Sequence, residues 1–168
     1  KKGRQSEVVK GNTDRKAVTS IDIFTGSELD WFAPGLSERA AIPLIATEAA
    51  VPTDRLTEDR GMVLHSAIRT ELSGPRPVLI GGMLLNRNLK FIDTINDLVY
   101  RRPDGRTEAQ GTATLFLDDV RVSTNVRLFE NVRALGTRVS AIVRNTVLGE
   151  GRTWLDRAFV VNDWYISG

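Results

Sequence analysis

Histidine occurs once in the chain, as His65, and cysteine does not occur at all. Without cysteine there is no thiolate nucleophile, no disulfide and no Cys-based metal or haem site. A lone imidazole cannot assemble a multi-His zinc site. A Ser-His-Asp hydrolase would have to take His65 as its base, and no Gly-x-Ser-x-Gly elbow is present to offer it a nucleophile. His65 lies between Leu64 and Ser66 in an apparent strand and is read as a packed strand residue. No Gly-x-x-x-x-Gly-Lys-Ser/Thr phosphate loop exists. Gly81-Gly82 lacks the third glycine and the helix placement of a dinucleotide fingerprint, so it reads as a close-packing position or a bulge. Asp118-Asp119 lacks the oxygen-ligand spacing of a Ca²⁺ or Mg²⁺ loop and reads as a hairpin turn. No general acid and base form a defensible pair. The expectation is no catalytic residue, no metal, no cofactor, and a domain that is not itself an enzyme.

What remains is the chemistry of holding a small anion. Arginine offers a planar, bidentate fork to a carboxylate. Hydroxyls and amides add neutral hydrogen bonds, and aromatic walls exclude water and strengthen both. Residues 121–125 carry Arg121, Ser123, Thr124 and Asn125, and the strands that follow carry Trp154, Arg157, Trp164 and Tyr165. Period-two alternation puts Arg121, Ser123 and Asn125 on one face and Val122, Thr124 and Val126 on the other. Each has a plainer reading. Arg121 beside Asp118 and Asp119 fits a surface ion pair as well as a ligand contact. Trp154 and Trp164 fit a core, and Arg157, inside an apolar run, fits burial against a protein or ligand carboxylate. Arg138 falls at the start of a predicted helix, where its charge opposes the dipole. That suggests a polar task, and a solvated side chain explains it equally.

The elements that must position these groups belong to a globular chain. Of 168 residues, 41% are hydrophobic and 26% charged, enough to bury roughly 70% of the unfolded surface. The net charge of +2 comes from 23 basic and 21 acidic side chains interspersed along the chain. Lys1-Lys2-Gly3-Arg4 and Arg101-Arg102 are too short for a nucleic-acid footprint. No apolar run reaches the roughly 18–20 residues of a membrane span. The chain begins without Met and stops at Gly168 in what reads as an unfinished strand. It is expected to be a piece of a longer protein.

Glu7–Lys10 is a short segment before a polar loop. Ala17–Phe24 is β-branched and reads as a strand. Ser27 caps a short helix to Phe32 that Pro34-Gly35 ends, and Leu36–Ala41 is a second helical turn. Ile42–Thr47, broken by Pro43, is at best an edge strand, and Val51–Arg60 is a connector. Gly61–Arg69 and Val78–Leu85 are strands of a hairpin turning at Ser73-Gly74-Pro75, the second of them buried. The spacing of Leu89, Ile92, Ile95 and Val99 predicts a helix to Tyr100, capped by Asn86 or Asn88. After a loop at Pro103-Asp104-Gly105, Gly111–Leu117 and Val120–Val126 make a hairpin. A helix over Thr137–Leu148, with Gly149 as its cap, precedes a hairpin of Thr153–Val161 and Trp164–Ser167 turning at Asn162-Asp163. The order is that of an α+β fold, hairpins with helices to one side.

That order resembles the Cache family, the PAS-like extracytoplasmic sensor domains of bacterial histidine kinases and chemoreceptors. The likeness rests on the runs 81–88 (Gly-Gly-Met-Leu-Leu-Asn-Arg-Asn), 111–116 (Gly-Thr-Ala-Thr-Leu-Phe), 121–126 (Arg-Val-Ser-Thr-Asn-Val), 136–140 (Gly-Thr-Arg-Val-Ser) and 157–165 (Arg-Ala-Phe-Val-Val-Asn-Asp-Trp-Tyr). It spans about 60–168 and is loose before that. It departs from the family in showing neither a long N-terminal helix nor a closing Gly-containing strand. The resemblance implies a PAS-like antiparallel sheet with flanking helices, in tandem lobes of which one or both are incomplete: residues 1–85 a partial first lobe, 86–168 a second. It implies an extracytoplasmic, periplasmic domain of an inner-membrane receptor, held between membrane helices outside this chain. There it would sense a small carboxylate or amino acid and pair as a homodimer in the full receptor. The ligand-binding residues it implies are Phe116, Arg121, Ser123, Asn125, Trp154, Arg157, Trp164 and Tyr165. The alternative is a structural or dimerisation module with no small ligand.

Overall fold

The computed structural model describes residues 17–69, 78–100, 111–161 and 163–167. Its elements, in chain order, are β1 (Val18–Phe24), α1 (Gly26–Phe32), α2 (Leu36–Ala40), β2 (Ile42–Pro43), β3 (Thr57–Glu58), β4 (Gly61–Arg69), β5 (Val78–Leu84), α3 (Leu89–Val99), β6 (Thr114–Leu117), β7 (Val120–Thr124), β8 (Arg127–Phe129), β9 (Val132–Arg133), α4 (Ala141–Arg144), a π-helical turn (Asn145–Gly149), β10 (Asp156–Val160) and β11 (Asp163–Ser167). The expected segment 7–10, the turn at 73–75, the loop at 103–105, residue 162 and both basic groups lie outside the described residues. The described residues fall into two compact units, one drawn from 1–41 and 59–86, the other from 42–58 and 87–168.

The first unit is an antiparallel sheet in the order β1-β4-β5. Val18 pairs with Ala67 and Phe24 with Gly61, then Val63 pairs with Leu84. Helices α1 and α2 supply the core: Phe24, Leu29 and Ala40 are buried, with Leu36, Val63 and Leu84 packed around them. Thr25, not Ser27, caps α1. Its hydroxyl accepts from the Glu28 amide at 3.4 Å, while its own amide donates to Glu28 Oε2 at 2.9 Å. This reciprocal box satisfies two of the amides a helix start leaves free. Buried Asn86 ties the unit's ends together. Its Oδ1 accepts from Met62 N–H at 2.9 Å, and its Nδ2 donates to Ala40 O and Arg60 O at 2.8 and 2.9 Å. The expected burial of residues 78–85 is wrong for most of the strand: β5 is an edge strand, exposed from Leu79 to Met83. A continuous apolar run suits an edge as well as a centre when only one neighbour exists.

In the second unit α3 has the predicted helix, capped by Asn88, whose Oδ1 accepts from Phe91 N–H at 3.1 Å. Segment 42–58, which the sequence reading assigns to the first lobe, packs here. Ile45 N–H donates to Gly136 O, and Ala141 N–H to Ala49 O. The β6–β7 hairpin forms around Asp118-Asp119 and carries a bulge between Leu115 and Phe116. The predicted helix over 137–148 lacks its first four residues. Residues 137–139 are not helical because their backbone bonds go elsewhere: Arg121 N–H to Thr137 O, and Val139 N–H to Asp119 O. Arg138 bridges Val120. The helix starts only at Ala141, capped by Ser140, and passes after four residues into the π turn. Gly149 lies within that turn, and Gly151 at φ +66° takes the left-handed position instead. The strand expected over 153–161 begins at Asp156. A short hairpin, β8–β9, went unforeseen.

Strand and helix content makes the chain α+β. The single curved sheet of hairpins implied by the resemblance is not formed by the described residues. β6–β7, β8–β9, β10–β11 and β2–β3 are separate two-stranded ladders. Val126, Ala134, Ala158 and Val160 form the unit's apolar cluster, with Leu128, Val143 and Val161 against it.

Candidate functional site

Strand β7 is the most enclosed element of the second unit: all five of its residues are buried. The bulge opposes three residues, Arg121, Val122 and Ser123, to two on β6. It breaks strict alternation, so period two no longer decides which side chains share a face. What decides is the partners. Arg121 is only 5% exposed. It pairs across the ladder with Phe116, and its guanidinium carbon lies 5.1 Å from the centre of that ring. Its Nη1 donates to Thr137 Oγ1 at 2.6 Å, and that hydroxyl donates onward to Ala134 O at 2.8 Å. Its Nε is buried with no hydrogen-bond partner. Burial lowers the Arg121 pKa to about 10. Among the described residues no carboxylate pairs with it, so the surface ion pair with Asp118 or Asp119, one of its two readings, is not made. A buried cation normally requires a partner; the ring offsets part of its desolvation, roughly 2 kcal/mol when water is excluded.

The other expected residues are placed differently. Ser123 donates its hydroxyl to Asn88 O at 3.0 Å, and Asn125 Oδ1 accepts from Ala113 N–H at 2.8 Å, so both hold backbone. Trp154 is half-buried, with Nε1 buried and unpartnered. Arg157 is exposed, which corrects its expected burial. The β10–β11 register puts Arg157 opposite Ile166 and Phe159 opposite Trp164. Trp164 is 64% exposed and meets Phe159 edge-on at 5.5 Å, so it is not core; Tyr165 is also partly exposed. Phe116 and Arg121 therefore come together on one hairpin, while Arg157, Trp164 and Tyr165 sit on another that shares no ladder with it.

Sequence reasoning missed Thr137 as the partner of Arg121, and it missed a charged cluster at the 118–119 turn. Asp119 is buried. Its Oδ2 accepts from Arg138 Nε at 3.1 Å and Nη2 at 2.7 Å. Arg138 Nη1 also donates to Val51 O at 2.6 Å. The polar task suggested for Arg138 is thus real, but the residue stands before the helix and not in it. Arg55 Nη2 lies 3.5 Å from Asp119 Oδ1, and Arg144 Nε 3.6 Å from Oδ2. These groups border a cleft of about 240 Å³. No spacing along the chain announces it, because the contributors are 64 and 25 residues from Asp119 on either side. His65, read as a packed strand residue, is buried in the first unit with its Nε2 2.6 Å from Asp22 Oδ2. Among the described residues no group of three His, Asp or Glu side chains could hold a metal, and no helix is long and apolar enough to cross a membrane.

Residues 83–168, half of the chain, match the family defined by the single Cache domain 3, and the chain belongs to that family. Its domains are typically extracytoplasmic sensors and commonly bind small-molecule ligands. No curated protein and no solved structure matches the chain.

Proposed function

We propose that this chain is the periplasmic input domain of a transmembrane receptor, a histidine kinase or a chemoreceptor. In this reading it holds a small organic acid or amino acid through Arg121 and does not convert it. Arg121 carries the proposal. A guanidinium this buried, partnered by one hydroxyl and one ring and carrying an orphaned Nε, is short of an anion. A ligand carboxylate supplies that charge and two acceptors at once. Binding biases a receptor only if the ligand prefers one of its arrangements. A carboxylate does so when it meets Arg121 in one arrangement and not the other.

The experiment is a thermal-shift screen of small organic acids and amino acids. A ligand present at 100 times its dissociation constant adds about 2.7 kcal/mol of stability. The same screen on Arg121→Gln, and on Thr137→Val as a milder change, locates the effect. No stabilising acid in a broad panel removes the sensor reading. An acid that stabilises wild type and Arg121→Gln equally removes Arg121 from the site.

A further inference from the structure

We infer that the cleft beside Asp119 is a second anion site, independent of Arg121, which takes a small oxyanion bridging Arg55 and Arg144. The cluster holds more guanidinium donors than its own acceptors use. Arg138 gives both of its Asp119-facing donors to one oxygen, Oδ2, and its remaining Nη1 to Val51 O. That buried pair is self-sufficient. Arg55 and Arg144 approach the same carboxylate from its two oxygens, at 3.5 and 3.6 Å. Those distances give attraction without a good hydrogen bond. Arg55 uses Nη1 on Glu58 at 3.1 Å and keeps the rest of its fork. Arg144 has no ion-pair partner other than Asp119 among the described residues, and no hydrogen bond among them uses its Nη donors. Both side chains are 42% exposed and line one cleft. Thr53 lines it too, and its hydroxyl accepts from the Arg55 amide at 3.3 Å, which leaves its proton to give. Three arginines stand with the carboxylates of Asp118, Asp119 and Glu58, so the cleft's capacity for an anion lies in the donors Arg55 and Arg144 keep free and not in an excess of charge.

Size and donors set the ligand class. The cleft of about 240 Å³ is open to solvent on one side. That admits a phosphate or a short dicarboxylate. Two forks, one at each oxygen of Asp119, favour an anion with more than one oxygen. Arg144 is the last residue of α4 before the π turn, and its neighbour Val143 packs on the cluster of Val126, Ala134, Ala158 and Val160. An anion on Arg144 therefore acts at the end of a short helix whose Val143 packs on a cluster that includes Ala158 and Val160 of β10.

The test is calorimetric titration of the wild-type chain with sodium phosphate, and separately with malonate, at constant ionic strength. Saturable binding of either anion is expected, and whichever binds names the source. Arg144→Gln, at a half-exposed position that does not threaten folding, weakens it about tenfold or more. Arg55→Gln does likewise, and Arg144→Lys recovers part. Absence of saturable binding by both anions overturns the inference, as does Arg144→Gln binding as tightly as wild type. Loss of binding in Arg121→Gln with retention in Arg144→Gln would assign the anion to the Arg121 site instead.

Discussion

Asp119 and Arg138 are both withdrawn from solvent; Asp119 keeps Arg55 and Arg144 nearby if Arg138 is removed, whereas Arg138 loses its one carboxylate among the described residues if Asp119 is. Asp119→Asn is expected to cost about 3–5 kcal/mol in urea unfolding, most of it the stranded guanidinium. Replacing both by residues of similar volume should cost less than the sum of the singles, and a double-mutant cycle reads that difference. At the surface the balance is milder. Arg133 donates Nη1 and Nη2 to the two oxygens of Asp93 at 2.6 and 2.8 Å, and this hydrogen bonding holds the Asp93 carboxyl below its usual range. A depressed acid adds stability above its unfolded pKa and loses it as pH falls through the folded one. Unfolding midpoints measured from about pH 6 down to 2 should therefore show a drop below about pH 4 that Arg133→Gln makes shallower. Arg121 was legible in the sequence as a donor for an anion. Its surroundings were not, because Thr137 reaches it from 16 residues away, and the pairing of Arg138 with Asp119 spans 19.

Local signals served the elements well where local bonds decide them. The Asn88 cap and the period of α3, the strand character of β1 and β4, and the 118–119 turn could all be read off the chain. Three readings failed where backbone partners are distant. The helix start at 137 lost to ladder bonds with the β7 turn. The buried status of β5 lost to its place at a sheet edge. Glycine at 149 was a cap by type, but the left-handed position fell at Gly151. Gly136 shows the tertiary constraint most sharply. At φ +79°, a Cβ there would sit 2.1 Å from Pro43 O, whereas Gly35, at φ +78°, has nothing within 4 Å. Both alanine variants meet the left-handed penalty of about 1–2 kcal/mol. Gly35→Ala should stop there, and Gly136→Ala should exceed about 4 kcal/mol in chemical denaturation. Thr25→Ala removes the capping box and is expected to cost about 1 kcal/mol by the same measurement.

For the whole molecule, each unit has a core of its own, and the family match covers mainly the second. Leu29 is fully buried between Phe24 and Ala40. Leu29→Ala should cost about 3 kcal/mol, and amide exchange should rise first in β1, β4 and their helices. The α+β class followed from the alternation of patterns along the chain. The joining of hairpins into sheets did not, since ladders are chosen by contacts that no window of sequence contains.

The turn from Asn145 to Gly149 closes with Glu150 N–H on Asn145 O, five residues back. Such a loop holds one residue more than an ordinary turn requires. Shortening the chain by one at Thr146 would let the ring close at four, leaving the flanking segments nearly where they are. The same excision inside α3 would swing everything after it by about 100°. This stretch is thus a place where chain length has slack, and a deletion scan should find it tolerant between two intolerant neighbours.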